Sequence, residues 1–259
     1  MISILFGLLL GCSDKADAPQ KAQKPTASQI KEATKMKEKP VVEEQPPDTT
    51  GNPLFNPALA TEKSPENFTV LFATTKGDFL VNVTREWAPN GADRFYNLVK
   101  LGYYKDIAFF RVIGGFMAQF GMHGDPPVNN VWKRSTLQDD PVRESNKRGY
   151  VTFAKTGMPN SRSTQLFINY GNNSRLDNQG FAPIGVVVDE PSKGGGMSVV
   201  DKLYADYGEG GRGGRGPSQQ LIGQRGNSYL RSEFPNLDYI VSTRICGEGK
   251  VENAPEYCP

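Results

Sequence analysis

The stretch FFRVIGGFMAQFG, residues 109–121, sets one arginine in a run that is otherwise apolar, glycine or a single glutamine. No acidic residue lies nearer to Arg111 along the chain than Asp106 and Asp125. Two readings compete. In one, Arg111 belongs to an edge strand and its long side chain reaches past apolar neighbours to water. In the other, it is a fixed cation at the lip of a hydrophobic groove.

Working outward, the flanking sequence reads mainly as short strands. FTVLFATTKGDFLVNV gives two, over residues 68–73 and 78–83, with a turn around Lys76 and Gly77. The period then changes. Pro89 suits a helix start, Ala92, Phe95, Leu98 and Val99 recur at helical spacing, and Gly102 marks a stop. IAFFRVI, FMAQFG, GYVTFAK, TQLFINY and APIGVVV follow as strand-like runs separated by glycine, asparagine and proline. MSVVDKLYADY predicts a second helix over residues 197–207, and FPNLDYIVSTRIC predicts a last strand. Many short strands with two helices point to a β-barrel or sandwich rather than a parallel sheet.

Composition narrows the chemistry. The 259 residues carry a net charge of +2 and are 37% hydrophobic, so no basic surface calls for nucleic acid. His123, in GMHGDPP, is the only histidine, which argues against a Ser-His-Asp relay or a multi-histidine metal site; it reads as an exposed loop residue. GEGGRG, residues 208–213, formally matches G-x-G-x-x-G but follows a helix pattern instead of a strand, so it reads as a loop.

The N-terminus has a separate logic. ISILFGLLL, residues 2–10, is apolar but too short to span a bilayer as a helix. It ends in LLGC, which resembles the bacterial lipobox, and residues 1–11 are therefore expected to be a lipoprotein signal peptide with Cys12 as the lipidation site. Residues 13–66 nearly balance lysines against acidic residues, gather prolines and hold Phe55 as their only aromatic. Such a composition buries too little apolar surface to offset ordering entropy, so residues 12–66 read as a lipidated cysteine and tether. As a coil it would span roughly 40 Å.

Three blocks resemble the cyclophilin family of peptidyl-prolyl isomerases. FFRVIGGFMAQFG is similar to its aromatic-Arg and Gly-Phe-Met-x-Gln signature. GYVTFAKTGMPNSRSTQLFINY, residues 149–170, is similar to its second signature, and SRLDNQGFAPIGVVVD to its Leu-Asp stretch. The resemblance covers residues 68–246. It implies a mainly β fold, a closed eight-stranded antiparallel barrel capped by two α-helices, with the groove on the outside. It also implies Arg111 as the catalytic residue, with Phe116, Met117, Phe167 and Leu176 as walls of a proline pocket. Gln119 would support the arginine, and Ala154 and Gln165 would meet the residue before proline. The implied activity is isomerisation of X-Pro bonds in unfolded or partly folded polypeptides, by an arginine donor to the prolyl nitrogen, with no cofactor and no metal.

Several positions depart from the family pattern. Gly114 stands where proline is common, Arg175 where tryptophan is common, and Phe181 at the approximate place of a frequent pocket histidine. Arg175 argues against tight binding of cyclosporin-like ligands more than against isomerase activity. Lys155 and Arg162 suggest a basic groove rim that favours acidic residues near the substrate proline. Cys246 and Cys258, twelve residues apart, either form a disulfide in an oxidising envelope or remain two free thiols. The expected organisation is a signal (1–11), a tether (12–66), an isomerase domain (67–246) and a tail (247–259). A monomer is expected, lipid-anchored in the bacterial envelope, facing the periplasm, and on the outer membrane if the host has two. A binding module that grips proline-containing segments without turnover, or a structural lipoprotein, would share much of this sequence.

Overall fold

The computed structural model describes residues 51–188, 196–211 and 214–248. The first hairpin shows why the chain starts as sheet. Strands β1 (Asn67–Thr74) and β2 (Gly77–Thr84) bury Phe68, Val70 and Phe72 against Phe79, Val81 and Val83, one face of a period-two pattern. Phe72 sits opposite Phe79 in the register, and their rings stack at 4.9 Å.

Helix α1 (Pro89–Lys100) follows, burying Ala92, Phe95, Leu98 and Val99 as the spacing predicts. Its end is a Schellman motif. Gly102, at φ 72°, donates to Val99 O, and Tyr103 donates to Leu98 O at 2.9 Å. Next come β3 (Ile107–Ala108), β4 (Arg111–Ile113), β5 (Met117–Phe120) and helix α2 (Pro126–Arg134). Strands β6 (Tyr150–Phe153), β7 (Leu166–Asn169) and β8 (Pro183–Val187) precede helices α3 (Met197–Val200) and α4 (Gln219–Glu233), and β9 (Tyr239–Glu248) closes the domain.

All pairings are antiparallel, in the order β3-β9-β1-β2-β8-β6-β7-β5-β4. The two ends of that order are neighbours in the chain, separated only by Phe109 and Phe110. Ile107 pairs with Ile240 of β9, and Arg111 pairs with Gln119 of β5. Residues 107–113 therefore close the sheet on itself. Counted as one bent strand, they turn nine segments into the expected eight-stranded barrel.

The barrel interior is full. Phe72 meets Phe95 at 6.1 Å and Phe120 at 5.8 Å, and Phe109 meets Phe120 at 5.3 Å. Among the described residues, close packing of this kind fills the barrel interior with side chains.

Two expectations need correction. The helix predicted over residues 197–207 stops at Val200, because its continuing hydrogen bonds are taken elsewhere. Val200 O accepts from the Tyr170 hydroxyl at 2.8 Å, and the Tyr204 N–H donates to Asp238 Oδ2 at 2.8 Å. The longest helix is α4, which packs Ile222, Tyr229 and Leu230 onto Phe110, Leu237 and Tyr239; neither it nor α2 was expected from the sequence. The tether also ends sooner than residue 66. Asn52 and Asn56 cap two 3-10 turns, Trp132 donates to Leu54 O at 2.7 Å, and Ser64 bonds Asp93 through both its backbone N–H and hydroxyl at 2.9 Å. Cys246 is disulfide-bonded. Cys12 and Cys258 lie outside the described residues, as do the expected signal and most of the tail.

Candidate active site

Strand register builds the site. Gln119 of β5 lies opposite Arg111 of β4 on one side and opposite Phe167 of β7 on the other, so the three form a row across the sheet. The next row, Val112, Ala118 and Ile168, points into the barrel core. Alternation therefore sends Arg111, Met117, Gln119 and Phe167 to the outer face. There Met117, Phe167 and Leu176 form a small apolar cluster of their own, with Phe116, Ala154 and Phe181 packed against it.

This cluster walls a cavity of about 340 Å³. All eight residues expected from the sequence line it: Arg111, Phe116, Met117, Gln119, Ala154, Gln165, Phe167 and Leu176. They come from β4, β5 and β7, from the turns after β4 and β6, and from the 3-10 turn Ser174–Gln179. The turn carrying Phe116 is fixed by its carbonyl, which accepts from the Asn173 side chain at 2.8 Å and from Tyr170 N at 2.9 Å.

Arg111 sits at the groove lip with its side chain only 23% exposed, held by polar groups on two sides. Its Nη1 donates to Gln119 Oε1 at 3.0 Å, and the Gln119 amide donates to Gln165 Oε1 at 2.9 Å. The guanidinium also lies 5.8 Å from the Phe116 ring centre. Its acidic partner is 98 residues away in sequence. Glu209 accepts from Nε at 2.8 Å and from Nη2 at 2.5 Å, a bidentate pair. A fixed cationic donor beside a water-poor apolar slot can hold a small ring and stabilise an electron pair that develops next to it.

The model of the cyclophilin type peptidyl-prolyl cis-trans isomerase family matches residues 69–220, more than half of the chain. The chain belongs to the cyclophilin family. Peptidyl-prolyl cis-trans isomerase A of Dickeya dadantii is 33% identical over 161 residues, 58% of this chain and 76% of that protein. Peptidyl-prolyl cis-trans isomerase B of Escherichia coli is 30% identical over 141 residues, 52% of this chain and 82% of that one. Cyclophilin AquaCyp293 from Hirschia baltica shares the fold at a TM-score of 0.50 and 19% identity, covering 75% of this chain and 78% of its own. This cyclophilin is thus a peptidyl-prolyl cis-trans isomerase, an enzyme.

Two features, the groove rim and His123, differ from expectation. The basic rim does not form. Arg162 is buried, 1% exposed, against Asp140 at 3.0 Å, and Lys155 pairs with Asp139 at 3.0 Å. Burial works to raise the Asp139 pKa, but the Asn160 N–H and the Lys155 ammonium outweigh it and hold the carboxylate below its usual range. His123 is half-buried against Tyr103, with ring centres 5.0 Å apart. Arg175 stacks over the Phe116 ring at 4.7 Å, behind one of the groove-lining residues.

Beyond the expected residues, Thr156, Ser161, Ser163 and Gln219 also line this cyclophilin's groove, and the sequence assigns no role in it to Phe181 or Glu209. Phe181 lines the cavity and meets Phe167 edge-on at 5.9 Å; its place beside a frequent pocket position was the available signal. Glu209 had no signal, because nothing local links a glycine-rich loop to an arginine 98 residues earlier.

Proposed function

We propose that this isomerase accelerates X-Pro rotation in exported or envelope polypeptides, with Arg111 donating to the prolyl nitrogen while a lipid on Cys12 anchors the chain. The observation that carries this reading is Arg111 bonded to Gln119 at 3.0 Å on the lip of an apolar cavity. Amide resonance sets the uncatalysed barrier at about 18–20 kcal/mol. As the bond twists, resonance is lost and the prolyl nitrogen regains its lone pair. A guanidinium N–H aimed there binds the twisted state more strongly than the planar one, which is the condition for faster turnover. Phe116, Met117, Phe167, Leu176 and Phe181 hold the ring and keep water from competing. No bond is made or broken, so neither a nucleophile nor a proton relay has a role. An acceleration of a thousand- to millionfold needs about 4–8 kcal/mol, within reach of one charge-assisted hydrogen bond plus positioning.

The test is isomerisation of an X-Pro peptide by the parent chain and by Arg111→Ala. The expected fall in kcat/KM is about a hundredfold, typical for removal of one preorganised donor; equal rates would overturn the arginine role. The anchored chain acts, on this proposal, as a monomer at a membrane surface, facing the periplasm. The anchor is tested by expression in a bacterial host. The parent is expected in the membrane fraction and Cys12→Ala in the soluble fraction, and a soluble parent would remove the anchor from this reading.

A further inference from the structure

We infer that Glu209 is a positioning residue for the isomerase reaction, clamping Arg111 from outside the groove so that its remaining N–H groups face the substrate. This rests on the arginine role proposed above. The guanidinium has five N–H hydrogens. Glu209 takes the one on Nε at 2.8 Å and one on Nη2 at 2.5 Å, and Gln119 takes one on Nη1 at 3.0 Å. What remains is one hydrogen on Nη2 and the Nη1 hydrogen that looks toward the Met117 sulfur, 3.8 Å away in the groove wall. Of these two, the Nη1 hydrogen is the one on the cavity side, engaged there only by a weak sulfur acceptor.

A carboxylate on the catalytic arginine could instead be a plug that competes with substrate. The geometry argues for a clamp. Arg111, Gln119 and Met117 line the cavity, whereas Glu209 is not among the described residues that line it. Side-on engagement of Nε and Nη2 fixes the plane of the guanidinium, and Gln119 fixes its remaining rotation. A long side chain otherwise free to choose among rotamers is thereby held in one.

The loop that carries Glu209 is built for this delivery. The Gly210 N–H donates to Glu209 Oε1 at 3.2 Å, and the Gly216 N–H donates to Glu209 O at 2.8 Å. A Cβ at Gly210 would lie 2.1 Å from Pro217 O, and one at Gly214 would lie 2.0 Å from Glu209 O. Backbone passes this close only where no side chains intervene, which gives the glycines of the sequence their physical role.

The experiment uses the full chain, with saturation kinetics on an X-Pro peptide for the parent, Glu209→Ala, Glu209→Gln and Glu209→Asp, and a melting curve for each. Glu209→Ala is expected to lower kcat about tenfold with KM within about twofold, the pattern of lost alignment rather than lost binding. Glu209→Gln, which keeps shape but loses the charge-assisted fork, should fall nearly as far, and Glu209→Asp should recover part of the rate. The Arg111 Nε–H signal in a nitrogen-proton NMR spectrum should shift or broaden in the alanine variant. Should that variant fail to fold, the glutamine variant carries the same test. A folded Glu209→Ala or Glu209→Gln protein with parental or higher kcat would overturn the clamp. An inactive parent would instead overturn the isomerase reading on which it rests.

Discussion

At the scale of single residues, Asp140 shows how a remote side chain completes an element. Helix α1 begins after Ala88, which has no side-chain oxygen with which to cap it. The orphan N–H groups of Asn90 and Gly91 are met by the Asp140 carboxylate at 2.9 Å each, fifty residues away in the chain. The same carboxylate faces Arg162 Nη2 at 3.0 Å, and both side chains are essentially inaccessible to water. Truncating one member of a buried pair leaves the other charge without its partner. Asp140→Ala should therefore cost about 3–5 kcal/mol, since it takes from buried Arg162 its nearer carboxylate, leaving Asp139 at 3.4 Å, and bares two helix N–H groups. Arg162→Met should cost clearly less, because Asp140 keeps both backbone donors and the positive end of the helix. Urea unfolding of the two variants checks the ranking, and a reversed order would show that the pair, rather than the cap, dominates. The pairing also explains the missing basic rim. Arg162 is structural, and its charge is spent on joining the Pro-Asn loop to the start of α1.

At the scale of elements, legibility followed how local each signal was. The β1–β2 hairpin and α1 could be read because their buried residues recur at the period of their own backbone: Phe68, Val70 and Phe72 at two, Ala92, Phe95 and Val99 near 3.6. Strand β5 was legible as a strand but not as a two-faced one. All four of its residues are buried, Ala118 and Phe120 in the barrel and Met117 and Gln119 in the groove. Hydrophobicity alone cannot separate two buried faces, so the groove became visible only through the joint pattern with Arg111 and Phe167. Helix α4 hid for the opposite reason. Its run QQLIGQRGNSYLRSE is polar with two glycines, and its backbone is kinked at Gly226, at φ 55°. That glycine is required by a neighbour, since a Cβ there would meet Gly124 O at 1.9 Å. The helix predicted over residues 197–207 forms only at Met197–Val200 and lost its continuation to Tyr170 and Asp238, two partners from other strands and loops. Long-range hydrogen bonds of this type leave no trace in local periodicity. Glu209 belongs to the same class of unreadable contacts.

At the scale of the whole molecule, several acid-sensitive ties join distant segments, and they share one sign. Asp93 joins residue 64 and Arg85 to α1, Asp139 joins Lys155 to Asn160, and Asp177 joins Ser145 and Asn146 to the turn after β7. For each, burial alone would raise the pKa, but the hydrogen bonds to the carboxylate outweigh it and hold it low. His123 adds a step at higher pH. Burial lowers its pKa, against the opposing pull of Asp125 and Asp106, and its Nδ1 accepts from the Asp125 N–H at 3.0 Å, a bond that only the neutral ring can make. A group with a depressed folded pKa contributes stability above its unfolded pKa and loses it as pH falls toward the folded one. The melting temperature should therefore be flat from about pH 6.5 to about pH 9, decline gently below that range as unfolded His123 takes up a proton, and drop steeply below about pH 4 as the carboxylates follow. Asn at position 123 can still accept from Asp125 but does not titrate, so His123→Asn should erase the gentle step and leave the steep one. Because this is the sole histidine of the chain, its ring signals report the same event directly. They should titrate below the unperturbed value in the folded protein. Equal melting temperatures at pH 5.5 and 7.5 in the parent would show instead that the His123 corner opens to water at little cost and contributes nothing to the fold.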